Sequence, residues 1–150
     1  MLFGYWAVMT LIPVPGFGEA SLEKGTNLAA WVDSIFLKGH MYHETNTWDP
    51  EGILSTLPSI VNGIIGLFIG QILLLSVTKI QKAQRMGMIG TSLIFFGLIW
   101  DLVFPINKSI WTSSYVLYTT GLATVCLTAL YYIIDIREYK KGFKLFVIWG

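Results

Sequence analysis

Two carboxylates, Asp49 and Glu51, stand immediately before a long apolar run at residues 53–78. A carboxylate can serve as a general base, and its pKa is tuned by burial. Charges at bilayer depth are costly, so acids at the foot of an apolar run call for a functional account. Local chemistry offers a simpler one. Asp49 suits a helix N-cap, Pro50 the first helical position, and Glu51 the first turn beside the positive end of the helix dipole. Three further groups share the chemistry-bearing level: Asn107, Lys108 and Ser113. Asn62 lies within the run itself, on a stripe formed by Ser55, Ser59, Asn62, Gly63, Gly66 and Gly70. Such a stripe either packs closely on another helix or lines a polar path. Lys108 could pair with Asp101 or Glu51, or snorkel as an interfacial cation.

His40, His43 and Glu44 form a second cluster. His-x-x-His spacing can hold a metal on a helix, but no third ligand is placed by spacing, so no metal site is assigned. The single Cys126 excludes an internal disulfide.

Composition sets the elements that must position these groups. The chain is 54% hydrophobic and 13% charged. Its mean hydropathy is +0.63. Soluble domains carry about a quarter charged residues. Apolar runs at 53–78, 86–104 and 112–136 each approach the roughly 20 residues that cross a bilayer as a helix. No ten-residue alternation recurs, which argues against a barrel. The expected fold is therefore an all-α membrane protein with three complete transmembrane helices. A partial helix is expected at each end, over residues 1–12 and 143–150. Pro58 is expected to bend the first full span.

Charge placement orients the spans. Segment 13–52 holds six carboxylates against two lysines, whereas Lys79, Lys82 and Arg85, and then Arg137, Lys140, Lys141 and Lys144, mark two basic segments. Basic loops stay cytoplasmic. Loops 13–52 and 105–111 are then outside, and 79–85 and 137–144 inside. The basic segments face anionic lipid or, alternatively, the phosphates of a nucleotide. Within the outer loop, residues 27–38 read as an amphipathic helix capped by Thr26 or Asn27. Its apolar face would be Leu28, Trp31, Val32, Ile35 and Phe36, lying on the membrane surface or serving as a lid.

Several strings occur in order: Pro13-Val14-Pro15-Gly16, Asn27-Leu28-Ala29-Ala30-Trp31-Val32-Asp33, Gly39-His40-Met41-Tyr42, Asp49-Pro50-Glu51-Gly52-Ile53-Leu54, and the stretch from Pro105 through Lys108 and Trp111 to Tyr115. Together they resemble the heparan-α-glucosaminide N-acetyltransferase family of multi-span membrane acyltransferases, bacterial members included. The resemblance covers essentially the whole chain. It implies transfer of acetyl groups from cytoplasmic acetyl-CoA to an amino-sugar acceptor on the far side of a membrane, here a bacterial inner membrane. The family's acetyl-carrying histidine lies ahead of anything matched here, and neither His40 nor His43 inherits its role. The expected partners are therefore the lipid bilayer, further helices of a longer parent protein and the amino-sugar acceptor, and this stretch alone is expected to be inactive. On that resemblance Asp49 and Glu51 are the catalytic candidates, and Asn62, Asn107, Lys108 and Ser113 the substrate-binding ones. Apart from the resemblance, the stripe also suits a transporter or a structural membrane module.

Overall fold

The computed structural model describes residues 1–41 and 48–139. Those residues form five α-helices and no strand: α1 (Leu2–Leu11), α2 (Leu28–Phe36), α3 (Ile53–Leu74), α4 (Lys79–Asp101) and α5 (Ser113–Tyr131). A 3-10 turn at Lys108–Ile110 precedes α5, and a π-helical turn at Tyr132–Ile136 extends it. His43 and Glu44 of the histidine cluster and the expected helix start at 143–150 lie outside the described residues, as do Lys140, Lys141 and Lys144.

Caps decide where the helices begin. Asn27 accepts the Ala30 amide at 2.9 Å, which opens α2. Thr78 and Gln81 form a reciprocal capping box at the start of α4. That box moves a boundary. Residues 79–85, expected as a loop, are the first two turns of α4, and the apolar run 53–78 stops being helical at Leu74. A Thr followed three residues later by Gln is a strong start signal, and it outweighs the charge of the turns that follow. Those charged turns also make α4 less apolar than expected. Among the described residues, Ile53–Leu74 and Ser113–Ile136 are long and apolar enough to cross a membrane; the expected span at 86–104 falls within α4, which is not one of these two.

The helix in the outer loop forms with a different inward face. Leu28, Ala29, Ala30 and Asp33 are its buried residues, while Ile35 is 50% and Phe36 71% exposed. The expected apolar face is thus split, because Asp33 is drawn inward by a bond described below.

Burial is concentrated at one end. Tyr5, Met9, Val14, Leu28, Ala29, Phe104 and Ile110 make one apolar cluster, with Trp6, Trp31, Leu54 and Trp100 packed around it. It joins α1, α2, the start of α3 and the α4–α5 connection into a cap over the end of the bundle. The Ser113 hydroxyl donates to the Leu2 carbonyl at 2.8 Å, so the N-terminus of α1 is level with the N-terminus of α5. Along the two long apolar helices only 11% of the side chains are buried. Leu67, Phe68 and Leu74 point outward, as lipid or neighbouring helices require.

The most extensive helix contact is α4 against α5. It is a glycine seam. A Cβ on Gly97 would lie 2.7 Å from the Tyr118 nitrogen, and one on Gly121 would lie 2.7 Å from the Ile94 nitrogen and 2.8 Å from the Gly90 carbonyl. Gly63, Gly66 and Gly70 on α3 meet nothing within 4 Å. Close packing therefore belongs to glycines outside the stripe, and the stripe's three glycines face open space.

Candidate functional site

The α4–α5 connection is held by a polar knot. Asp101 accepts the Ile106 amide at 2.6 Å, and the Thr112 hydroxyl accepts the Asn107 amide at 2.9 Å. Asn107 in turn accepts the Ser109 amide at 2.9 Å, and the Ser114 hydroxyl donates to the Phe104 carbonyl. Trp111 takes a left-handed backbone conformation, φ 48°, and sets its ring edge-on to Tyr115 at 5.6 Å. These bonds give the candidate residues distinct places. Asn107 shapes the turn through its side-chain oxygen. Ser113 is fully buried, and its hydroxyl is taken by Leu2. Lys108 is exposed. Asp101, one expected partner of Lys108, spends a carboxylate oxygen on the Ile106 amide instead.

Ser113→Ala in a full-length protein should lower stability by about 1 kcal/mol, the usual worth of one such bond. Thermal unfolding of the variant beside wild type checks it.

The opening motif is a turn, not a cap. Asp49 accepts the Glu51 amide at 2.8 Å, and its carbonyl accepts the Gly52 amide at 3.2 Å. The N-cap of α3 is Gly52, which has no side chain to cap with. The expectation that Asp49 caps this helix, with Pro50 and Glu51 inside it, is therefore corrected: the helix begins at Ile53. The cap comes from twenty residues upstream. Asp33 on α2 accepts the Ile53 amide at 2.9 Å and also an amide bond from Asp49. A Cβ on Gly52 would overlap the Asp33 carboxylate, so glycine is what admits it. From the sequence, Asp33 is one acid among six and the end of the 27–33 string, with no role assigned.

Asp33 is 1% exposed. Burial pushes its carboxyl above the ordinary aspartate range, the amides of Ile53 and Asp49 pull it down, and the charge of Asp49 raises it. A carboxyl raised in the fold stabilises it most below the unfolded-state value, and that contribution is lost as pH rises through the folded-state value. Wild type should therefore gain melting temperature relative to Asp33→Asn as pH falls from neutrality towards the ordinary aspartate range. Thermal unfolding of both proteins across that range checks the sign.

Two cavities open beside these elements. One, of about 420 Å³, is lined by Pro50, Glu51, Ser55, Thr56, Ser59 and Trp111. The other, of about 490 Å³, runs between α3 and α5 and is lined by Asn62, Gly66, Gly70, Tyr115, Thr120 and Thr124 among others. Trp111 in the first touches Tyr115 in the second. Ser59 and Asn62, one helical turn apart, link them along α3. The Thr120 hydroxyl lies 2.6 Å from the Asn62 side-chain oxygen and 2.7 Å from the Val116 carbonyl. One hydroxyl proton serves one of these. With the Asn62 amide turned so that its NH2 donates to Thr120, both are satisfied and the Asn62 oxygen is left to the groove. The structure thus brings Glu51 and Asn62 to one side of α3, and sets Asn107 and Ser113 into its supports.

At the opposite end, Lys79 donates to the Asp135 carbonyl at 2.8 Å and Lys82 to the Leu73 carbonyl at 2.7 Å. Both lysines cap helix C-termini, a favourable place for a cation. Arg137 stacks on Tyr132, 5.6 Å from its ring centre. Lys79 and Lys82 are thus committed to helix ends and Arg137 to a ring.

No family model matches the chain. Heparan-alpha-glucosaminide N-acetyltransferase from Homo sapiens is 27% identical over 177 residues, covering 97% of this chain and 26% of that protein. The protein of the same name from Mus musculus is 27% identical over 173 residues, covering 94% of this chain and 26% of that protein. The chain thus spans about a quarter of the length of these relatives. Over nearly its whole length it is similar to heparan-alpha-glucosaminide N-acetyltransferase, which supports the family that its ordered motifs point to.

Proposed function

We propose that this chain is part of an integral membrane acyltransferase that moves acetyl groups from acetyl-CoA to an amino-sugar acceptor on the opposite face. The capped end of the bundle is its outer, acceptor side, and the end bearing Lys79, Lys82 and Arg85 is cytoplasmic. The observation that carries this reading is the placement of Glu51 in a polar cavity that adjoins the α3–α5 groove. Acetyl transfer from a thioester to a free amine forms an N–C bond, breaks a C–S bond and moves one proton from nitrogen to the departing thiolate; an acceptor that arrives as ammonium must first lose one more. Glu51 holds the acceptor's ammonium at the cavity mouth and receives that proton, with Asp49 fixing the turn that presents it. Asn62 lines the path inward, and Lys108 stands exposed nearby in sequence to the Trp111 wall, placed to meet an anionic or hydroxyl-rich sugar. Asn107 and Ser113 act on substrate through the wall they hold.

The donor is assigned from the family. Three membrane crossings, with α4 the central one, complete the topology, and the exposed flanks of α3 and α5 meet lipid or further helices of a longer protein. The test is Glu51→Gln in the full-length protein, with protein level and acetyl transfer to glucosamine both measured. Lost transfer at normal level supports the reading. Unchanged transfer removes Glu51 from it.

A further inference from the structure

We infer that Asp33 is a positioning residue for Glu51: its carboxylate, reaching from α2, locks the Asp49–Gly52 turn onto the start of α3 and thereby fixes where the Glu51 side chain enters the cavity. The inference rests on the reading of Glu51 given above. Three observations carry it. The Asp33 carboxylate accepts the Ile53 amide at 2.9 Å and an amide bond from Asp49, so it grips the turn on both sides of Glu51. Gly52 leaves room for it and for nothing larger. Asp33 itself is 1% exposed and sits on a helix whose other buried residues are Leu28, Ala29 and Ala30, so its direction is set by packing.

The turn needs such a hold. Within it, Glu51 is fixed by one side-chain bond from Asp49 and one backbone bond, Gly52 to Asp49. Neither ties the turn to the body of the protein. Asp33 does, and it ties it to the apolar cluster through α2. A tether of this kind acts on the reacting centre without touching substrate, because small misplacements of a catalytic group lower rate steeply.

Asparagine at position 33 keeps one acceptor oxygen but turns an NH2 towards a donor. A neutral acceptor also holds an amide more weakly than a carboxylate does. In the full-length protein, Asp33→Asn should speed hydrogen exchange in the 49–53 segment about tenfold, the equivalent of one charge-assisted bond, and leave α5 unchanged. The turnover number for transfer to glucosamine should fall by a similar factor while the Michaelis constant for acceptor moves less. Gly52→Ala, which displaces the carboxylate from the other side, should reproduce both effects. Unchanged exchange in the 49–53 segment of folded Asp33→Asn overturns the inference. Faster exchange with unchanged transfer upholds Asp33 as the anchor and overturns the role of Glu51 instead. If neither variant accumulates, the native protein decides: an Ile53 amide that exchanges slowly upholds the anchor, and one as fast as a free loop amide overturns it.

Discussion

Glu51→Gln in a full-length protein is expected to lower acetyl transfer by about 10²- to 10⁴-fold, the range for loss of a positioned proton acceptor, with protein level unchanged. The expectation separates two accounts of the same residue. If Glu51 served mainly the helix dipole, its neutralisation would cost about 0.3–1 kcal/mol of stability and little rate. The geometry weakens that account. α3 begins at Ile53, so Glu51 precedes it and lies outside its first turn. The amide at the helix start is already taken by Asp33. Glu51 is exposed and lines a cavity, so glutamine of the same shape leaves packing untouched. Asp49→Asn is the informative companion. It keeps the oxygen that accepts the Glu51 amide, so its effect on rate should be much the smaller of the two. Protein level and transfer by both variants, measured side by side, check the ranking.

How much of this was legible in the chain depends on the range of each interaction. The helical class, the α2 helix with its Asn27 cap and the long apolar helices followed from periodicity and composition, which are local signals. The Thr78–Gln81 box was legible too, but a run of basic residues drew the boundary to a loop. The origin of the α3 cap was not legible. Asp33 and Ile53 are twenty residues apart, and nothing at Asp33 says which helix start it faces. Asp49 and Pro50 also imitate a local cap closely enough to mask the distant one. For the same reason the partners of Asn107 and Ser113 were not legible: their side chains meet the Ser109 amide and the Leu2 carbonyl. Asn62 stands on the stripe that helical spacing predicts, and Glu51, just ahead of α3, lines a cavity beside the same helix. The small-residue stripe was visible on α3, and Gly121 shares a side of the third span with Ser113, Thr120, Thr124 and Thr128, whereas Gly90 and Gly97, the other glycines of the closest helix contact, lie where no stripe was read.

Those three glycines carry the other large expectation. Gly121→Leu should abolish accumulation of folded protein, whereas Gly66→Leu should be tolerated. On α5, a Cβ at Gly121 would approach backbone atoms of α4, 2.7 Å from the Ile94 nitrogen and 2.8 Å from the Gly90 carbonyl. Backbone cannot rotate aside as a side chain can, so the helices must separate. Separation would open the contacts along the whole α4–α5 seam, including Gly97 against Tyr118, because both helices are rigid over more than ten residues. Overpacking of a well-filled interior costs about 1–3 kcal/mol even where side chains can adjust, and here they cannot. In a membrane the loss is not offset by solvent, since helices there are held by close packing and not by exclusion from water. Gly66 is the matched control: it lies on the groove wall, and nothing stands within 4 Å of its missing Cβ. A leucine there should leave the protein folded but fill the space between α3 and α5, so acetyl transfer should fall at normal protein level. Detergent-solubilised protein, monitored by size-exclusion profile and then assayed for transfer, distinguishes the two. Equal accumulation of the Gly121 and Gly66 variants would show that α4 and α5 do not meet at this seam. Full transfer by Gly66→Leu would show that the groove is not on the acceptor's path.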